Sequence, residues 1–371
     1  MKKCKKVLLI TLYDENNIGN RLQNYALQHI LELYVEKVIT LDNGYTTKPS
    51  IFNFIVIVIK GILGVFGKKI YFEEYKKYLA DKRRRNANKK FDKLNMSNVL
   101  KITNEKAFKR DWSEYDIAVA GSDQIWHKWR EDKLELPFYY LEFLPDYKRN
   151  AYAASFGREE LPLEDLKQHI IGLKGMRYIS CREENGCRII YNNIGREVPR
   201  TLDPTLLLGP SEWRKISSQA SRYAKKQNKY IFIYFLGEIT DEYREFIEMK
   251  KLSLGITNII DFSNRKNAKI CKCGPSDFLK LIDQADYVFT DSFHCTVFSV
   301  IFEKKFTSFR RKQNGFEHMF DRIEDLLSSV GMLENIFDGT DRHATNDFNI
   351  LRDNSLKYIN FILNKDIGKY E

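Results

Sequence analysis

The sequence has no uninterrupted apolar run of the roughly twenty residues that a helix needs to cross a bilayer core. Its most apolar stretch, Ile51-Phe-Asn-Phe-Ile-Val-Ile-Val-Ile-Lys-Gly-Ile-Leu-Gly-Val-Phe-Gly67, is cut by Lys60, so it is not read as a span. There is no G-x-G-x-x-G fingerprint for a dinucleotide, no recognised nucleic-acid module, and no segment biased enough to stay unfolded. Cysteine is sparse: the six, at 4, 181, 187, 271, 273 and 295, have no framework spacing. They fit free thiols in a reducing cytoplasm. Cys271-Lys-Cys273 lacks partner ligands at zinc spacing, so no metal is expected. The opening Met1-Lys-Lys-Cys-Lys-Lys6 and Val7-Leu-Leu-Ile-Thr-Leu-Tyr13 imitate a secretory signal, yet the apolar run is short and ends in Asp14-Glu15 without a cleavage site. It reads as the first buried strand.

What is present is basic and α/β in rhythm. A chain of 371 residues suits two domains. The boundaries expected are 1–208, 209–345 and a C-terminal helical run, 346–371, that returns to the first domain; the linker falls at about 205–215. The formal charge is +11, part of it in Lys82-Arg-Arg-Arg85. Such a surface attracts nucleic acid, anionic lipid or phosphorylated substrates, and the total does not choose among them. From Lys68 to Lys90 aromatics alternate with cations, as in a segment lying on an anionic bilayer or in a solvated helix.

Ligands of open α/β sheets bind outside the carboxyl ends of the strands, so the strand ends carry the argument. After Val7–Tyr13 comes the polar turn Asp14–Asn20 and a helix from Arg21 to Val35. Asp116–Ala120 is a strand ending in Gly121-Ser-Asp-Gln124, a set suited to a sugar or carboxylate and equally to a structural turn. Trp126, Trp129, Tyr139 and Tyr140 are a stacking surface or core. Arg182 follows the strand Met176–Ser180, where a guanidinium holds a carboxylate or phosphate, or pairs with Glu183 or Glu184. In the second half, Tyr287–Phe289 leads to Thr290-Asp-Ser292, which has N-cap chemistry, and a helix from Phe293. His294 then lies in that helix's first turn, as a proton shuttle or a core filler. The strand Phe306–Phe309 delivers Arg310, Arg311 and Lys312 to the same sheet edge, as an anion site or a solvated face.

Several of these runs, taken in order, resemble the polysaccharide pyruvyl transferase family. They are Ile18-Gly-Asn-Arg-Leu-Gln-Asn-Tyr-Ala-Leu27, Gly121-Ser-Asp-Gln-Ile-Trp126, Ser155-Phe-Gly157, Ser180-Cys-Arg-Glu-Glu-Asn-Gly186, Asp203-Pro-Thr-Leu-Leu-Leu208 and the stretch from Asp291 to Phe306. The resemblance implies two Rossmann-like domains facing across a cleft, GT-B-like. It also implies transfer of the enolpyruvyl group of phosphoenolpyruvate to a saccharide of a cell-surface or exopolysaccharide precursor, with release of phosphate. His294 would be the acid and base. Arg182, Ser292, Gly237, Arg310, Arg311 and Lys312 would hold the donor; Asn20, Gln23, Gly121, Ser122, Asp123 and Gln124 would hold the acceptor. No cofactor beyond the donor substrate is implied, and no nucleic acid. A lipid is among the acceptor's carriers considered, which fits a cytoplasmic protein peripheral to an anionic membrane face. The chain departs from the family in two places: its cations at 310–312 come early, and Glu303-Lys-Lys305 stands where a proline is frequent. A GT-B glycosyltransferase using a nucleotide sugar and a non-catalytic saccharide-binding relative are the alternatives.

Overall fold

The computed structural model of the protein describes residues 3–44, 56, 59, 69–96, 98–264, 266–312, 320–338 and 349–364. Strand β1 (Lys3–Ile10) is followed by α1 (Ile18–Tyr34), β2 (Val35–Asp42), the long α2 (Lys69–Asn95) and β3 (Val99–Lys101). Next come α3 (Asn104–Lys109), β4 (Ile117–Asp123), α4 (Glu135–Tyr139), β5 (Arg149–Ala154), α5 (Leu163–Gly175), β6 (Tyr178–Cys181) and α6 (Glu184–Ile194). These six strands form one sheet in the order β3-β2-β1-β4-β5-β6, all parallel. Helices cover both faces of such a sheet, so its central strands are continuous apolar runs. Val7 to Ile10 is one, and it is wholly buried.

Two short helices, α7 (Pro210–Ser217) and α8 (Arg222–Lys225), lead to the second half. It comprises β7 (Ile231–Tyr234), α9 (Asp241–Leu254), β8 (Ile259–Asp261), α10 (Pro275–Asp283), β9 (Tyr287–Thr290), α11 (Phe293–Ile301), β10 (Phe306–Ser308) and α12 (Asp321–Ser329), and α13 (Asn349–Asn364) closes the fold. The second sheet runs β10-β9-β7-β8, again parallel. Strand order reverses between β1 and β4 in one sheet and between β7 and β9 in the other. Those are the crevices where open sheets take ligands.

One apolar cluster joins the halves, from Val7 and Leu27 through Trp213 to Phe298 and Leu363. Trp213 meets Phe298 edge-on with ring centroids 4.9 Å apart. Helix α13 is tied to the first half: Tyr358 donates to the Ala151 carbonyl at 3.1 Å and Arg352 to that of Leu207 at 2.9 Å.

Three local differences from the sequence reading have simple causes. Asn17 accepts from the Asn20 N–H and so starts α1 at Ile18, which puts Gly19 and Asn20 inside the helix instead of the turn. Strand β4 continues through Gly121-Ser122 because β5 pairs with it as far as Asp123. Arg84 leaves the solvated basic run: it is buried, donates to the Ile270 carbonyl at 3.1 Å and lies over the Phe262 ring. Ala80, Arg84, Asn88 and Phe91 share the packed face of α2, while Lys76, Lys77, Lys82, Arg83, Lys89, Lys90 and Lys93 are exposed. Apart from Val56 and Ile59, the apolar stretch 51–67 lies outside the described residues. Among those described, no helix is long and apolar enough to cross a membrane.

Candidate active site

A cavity of about 400 Å³ opens between the carboxyl ends of the two sheets, at both strand-order reversals. The first half lines it with the loop after β1, the first turn of α1, the end of β4 and Trp129. The second half contributes the end of β7, Ser292, Phe293, His294, Arg311 and Arg322.

His294 stands at the seam, its side chain only 11% exposed, with Nε2 at 3.9 Å from Asp203 Oδ2. That buried Nε2 has no hydrogen-bond partner. Burial is the main cause that holds the imidazole pKa below its usual value; Asp203 and Asp123 pull it up, and Arg182 and Arg322 push it down. The ring rests on the backbone of α1. A Cβ at Gly19 would collide with Nδ1 and stand 2.6 Å from Cγ, so a side chain there is incompatible with this ring position.

Behind the imidazole lies an ionic cluster. Arg182 donates to Asp203 at 2.9 Å and lies 3.5 Å from Glu183 and 3.8 Å from Asp123. Burial opposes its charge, but the three carboxylates outweigh it and raise its pKa. Asp123, the last residue of β4, also accepts from Asn20 Nδ2 at 3.1 Å. Burial pushes its carboxyl up, yet Arg182, His294 and the Asn20 amide prevail and hold it below the usual range. On the opposite wall, Asp291 accepts from the N–H groups of Leu236 and Gly237 at 2.6 and 2.8 Å and lies 3.5 Å from Arg311 Nε. Asp291 therefore staples the ends of β7 and β9 together instead of capping α11, and Ser292 makes no side-chain cap bond. Desolvation, aided by the neighbouring Arg182, lowers the Arg322 guanidinium to about 10.

Of the residues expected from sequence, Asn20, Asp123, Gln124, Ser292, His294 and Arg311 reach the cavity. Gly237 lies beside it, where a Cβ would meet Arg311 Cγ at 2.7 Å. The others do not line it. Gln23 is buried against Thr11, which donates to its Oε1 at 3.0 Å. A Cβ on Gly121 would collide with the Tyr152 carbonyl, and its φ is +130°, so the glycine serves the strand and not a ligand. Ser122 turns into the sheet and donates to the Ala153 carbonyl at 2.8 Å. Arg182 spends its guanidinium on carboxylates behind the wall. Arg310 is exposed in a two-point pair with Glu324 at 3.1 and 2.6 Å, and Lys312 is exposed. The two-residue alternation of an extended chain explains this: of three consecutive cations only the middle one points inward. Of the aromatic candidates, Trp126, Tyr139 and Tyr140 are core and only Trp129 faces the cavity.

Two charged neighbours of His294 escaped the sequence. Asp203 lies in a run quoted for the resemblance but is given no role of its own. Arg322 is a lone cation on an ordinary amphipathic helix and carries no local signal. Among the described residues, no group of histidine, cysteine, aspartate and glutamate is arranged to hold a metal ion.

Comparison with known proteins adds the family. A search of curated proteins finds no match. Among solved structures, a putative UDP-N-acetylglucosamine 2-epimerase from Listeria monocytogenes is 11% identical over 98% of both chains, with a TM-score of 0.50. A UDP-GlcNAc 2-epimerase from Methanocaldococcus jannaschii is 12% identical over 97% of this chain and 93% of its own, with a TM-score of 0.49. At that identity the likeness shows the fold alone, two Rossmann-like halves across a cleft in the GT-B manner. The family model for polysaccharide pyruvyl transferase matches residues 17–313, a span that runs from Asn17 on one wall of the cavity to Arg311 on the other, and the chain belongs to that family.

Proposed function

We propose that this cleft moves the enolpyruvyl unit of phosphoenolpyruvate onto two hydroxyls of a saccharide, forming a pyruvate ketal and releasing phosphate. One observation carries the reading: an imidazole with an unpartnered buried nitrogen shares a single cavity with two guanidiniums, Arg311 and Arg322. Phosphoenolpyruvate carries a phosphate and a carboxylate, which require fixed cations. The N-terminal N–H groups of α11, beside Ser292, add a further anion-favouring field.

The pKa logic supplies the proton. Burial by itself favours neutral imidazole. A bound anion reverses that preference, and His294 takes up a proton that Asp203 helps to hold. Delivered to the methylene carbon of the donor, this proton makes the adjacent carbon electrophilic. One sugar hydroxyl attacks it and gives up its proton; the carbon–oxygen bond to phosphate breaks, and the second hydroxyl closes the ketal. Of the two hydroxyl protons, one replaces that spent on the methylene and the other leaves with phosphate. The exposed cations of α2 support a peripheral position on an anionic bilayer, where a lipid-linked acceptor would be at hand.

The test is incubation with phosphoenolpyruvate and a saccharide panel, following phosphate release and the mass gained by the sugar. His294→Ala is expected to lose turnover by about 10²–10⁴-fold while still binding phosphoenolpyruvate. Unchanged turnover in that variant, or a nucleotide sugar bound in place of phosphoenolpyruvate, overturns the reading.

A further inference from the structure

A second cavity lies between α2 of the first half and the head of α10 in the second, and none of its lining residues lines the active cavity. Its volume of about 120 Å³ is several times the roughly 10–15 Å³ that one water needs. The backbones nearly touch beside it: a Cβ on Gly274 would stand 3.1 Å from the Ala87 carbonyl oxygen. The side-chain amides of Asn95 and Gln219 exchange hydrogen bonds of 2.9 and 2.8 Å and brace α2 against the second half. Ser276 lies at the head of α10, directly after Pro275, where its N–H has no acceptor within the helix. The residue is only 8% exposed, and its hydroxyl has no hydrogen-bond partner among the described residues. That hydroxyl is not sealed away, and it borders the cavity. Lys90 of α2 and Lys272 before α10 line the same space, and neither has an ion pair among the described residues. Asp277 is the one carboxylate among the described lining residues. Its oxygens accept from the N–H groups of Gly274 at 2.8 Å and Ser221 at 2.7 Å, so they are already held by backbone.

We propose that this second cavity binds a terminal phosphate group, held by the Ser276 hydroxyl and N–H and by Lys272 from the second half and by Lys90 from the first. A helix N-terminus favours an anion, and two ammonium groups against one backbone-bonded carboxylate leave the surroundings positive. The buried hydroxyl is a donor that the protein itself leaves unused. A phosphate monoester or inorganic phosphate has enough charge and enough free oxygens to take all of these donors at once. A phosphodiester has fewer of both. Because Lys90 and Ser276 belong to different halves, the bound group also ties the halves together at a place remote from the chemistry. The same terminal phosphate could come from a soluble ester or from a lipid headgroup on the face where α2 exposes its cations.

The full-length protein is titrated with inorganic phosphate and with glycerol 3-phosphate while the Ser276 and Lys272 amides are followed by NMR. Saturable shifts are expected at both. Lys90→Ala with Lys272→Ala should weaken binding about tenfold or more, and Ser276→Ala several-fold. Lys93→Ala removes an equal charge from the exposed face of α2 outside the cavity and should alter binding less than about twofold. Arg311→Ala, which disables the active cavity, should leave these shifts in place. The lipid arm is flotation with phosphatidylcholine vesicles carrying phosphatidic acid or, at matched total charge, phosphatidylglycerol. A preference for phosphatidic acid that Ser276→Asp abolishes assigns the site to a headgroup; saturable shifts without that preference assign it to a soluble phosphate. Both lysines are exposed, so their removal leaves the fold intact, which circular dichroism checks. The site is overturned if neither arm responds, if Lys93→Ala weakens binding as much as Lys90→Ala, or if Arg311→Ala abolishes the Ser276 shift. None of these outcomes depends on turnover of phosphoenolpyruvate, so failure here and failure of the transfer reading are told apart.

Discussion

The two walls of the cleft grow from the same strand–loop–helix unit, yet they solve different problems. On the first wall the polar groups hold one another, Asn20 in the first turn of α1 bonding Asp123 at the end of β4 at 3.1 Å. On the second, Arg311 is held from behind by Asp291, which also ties β7 to β9. Arg182, in contrast, donates to Asp203 and does not line the cavity. The lesson is that a strand-end arginine is a ligand group or a strut according to how many carboxylates surround it. His294 sits where the walls meet and depends on both: its ring belongs to the second half, and Gly19 of the first half fixes where it can lie.

The largest expected effect breaks that dependence. Gly19→Ala should push the imidazole off its position and lower kcat about 100-fold with less change in KM for phosphoenolpyruvate. In a His294→Ala background the same substitution should add almost nothing; an equal additional loss would mean that Gly19 serves only the fold. Next, Arg311→Ala should raise the KM for phosphoenolpyruvate about tenfold, whereas Arg310→Ala, at an exposed pair with Glu324, should alter it less than about twofold. Equal effects would erase the distinction between inward and outward cations.

Two histidines sharpen the comparison further. Burial lowers both His294 and His169, the latter to about 4, but His169 is bonded to Tyr140 at 2.8 Å in the core. Sulfate, whose charge is constant over this range, should raise the His294 pKa in an NMR titration and leave that of His169 in place. By linkage, sulfate should then bind more tightly as pH falls through the raised value. A His294 resonance indifferent to sulfate would remove the anion from its surroundings. The smallest effect concerns the outer surface: Lys82→Ser with Arg83→Ser should reduce flotation with anionic liposomes several-fold, and Arg84 should be spared because it is a core contact. Flotation unchanged by the pair would dismiss the bilayer contact.

Much of the scaffold was legible because strand and helix signals are local. The turn chemistry of Thr290-Asp-Ser292 marked the start of α11 at Phe293 correctly, although Ser292 makes no side-chain cap bond. The strand ends also located His294, Asn20, Asp123 and Arg311. Alternation misled at 310 and 312, where neighbouring charges look alike in sequence and differ only in which way the chain faces. Gly121 and Ser122 looked like a ligand loop because glycine followed by serine has the same chemistry in a turn and in a strand that hugs its neighbour. Asp203 and Arg322 could not be found by any local rule, since Asp203 matters through Arg182 and His294, which meet it only on folding, and Arg322 sits at a helix position with no motif.

By itself the sequence determined the α/β rhythm, the parallel character of its buried strands and the identity of a histidine at a strand end, all consequences of hydrophobic periodicity and capping over a few residues. The tertiary structure alone decided which charges face the cavity and which are compensated behind it. The reason is that charge compensation acts through space: an arginine's role is set by the carboxylates within about 4 Å, and the chain gives no account of that distance until it has folded.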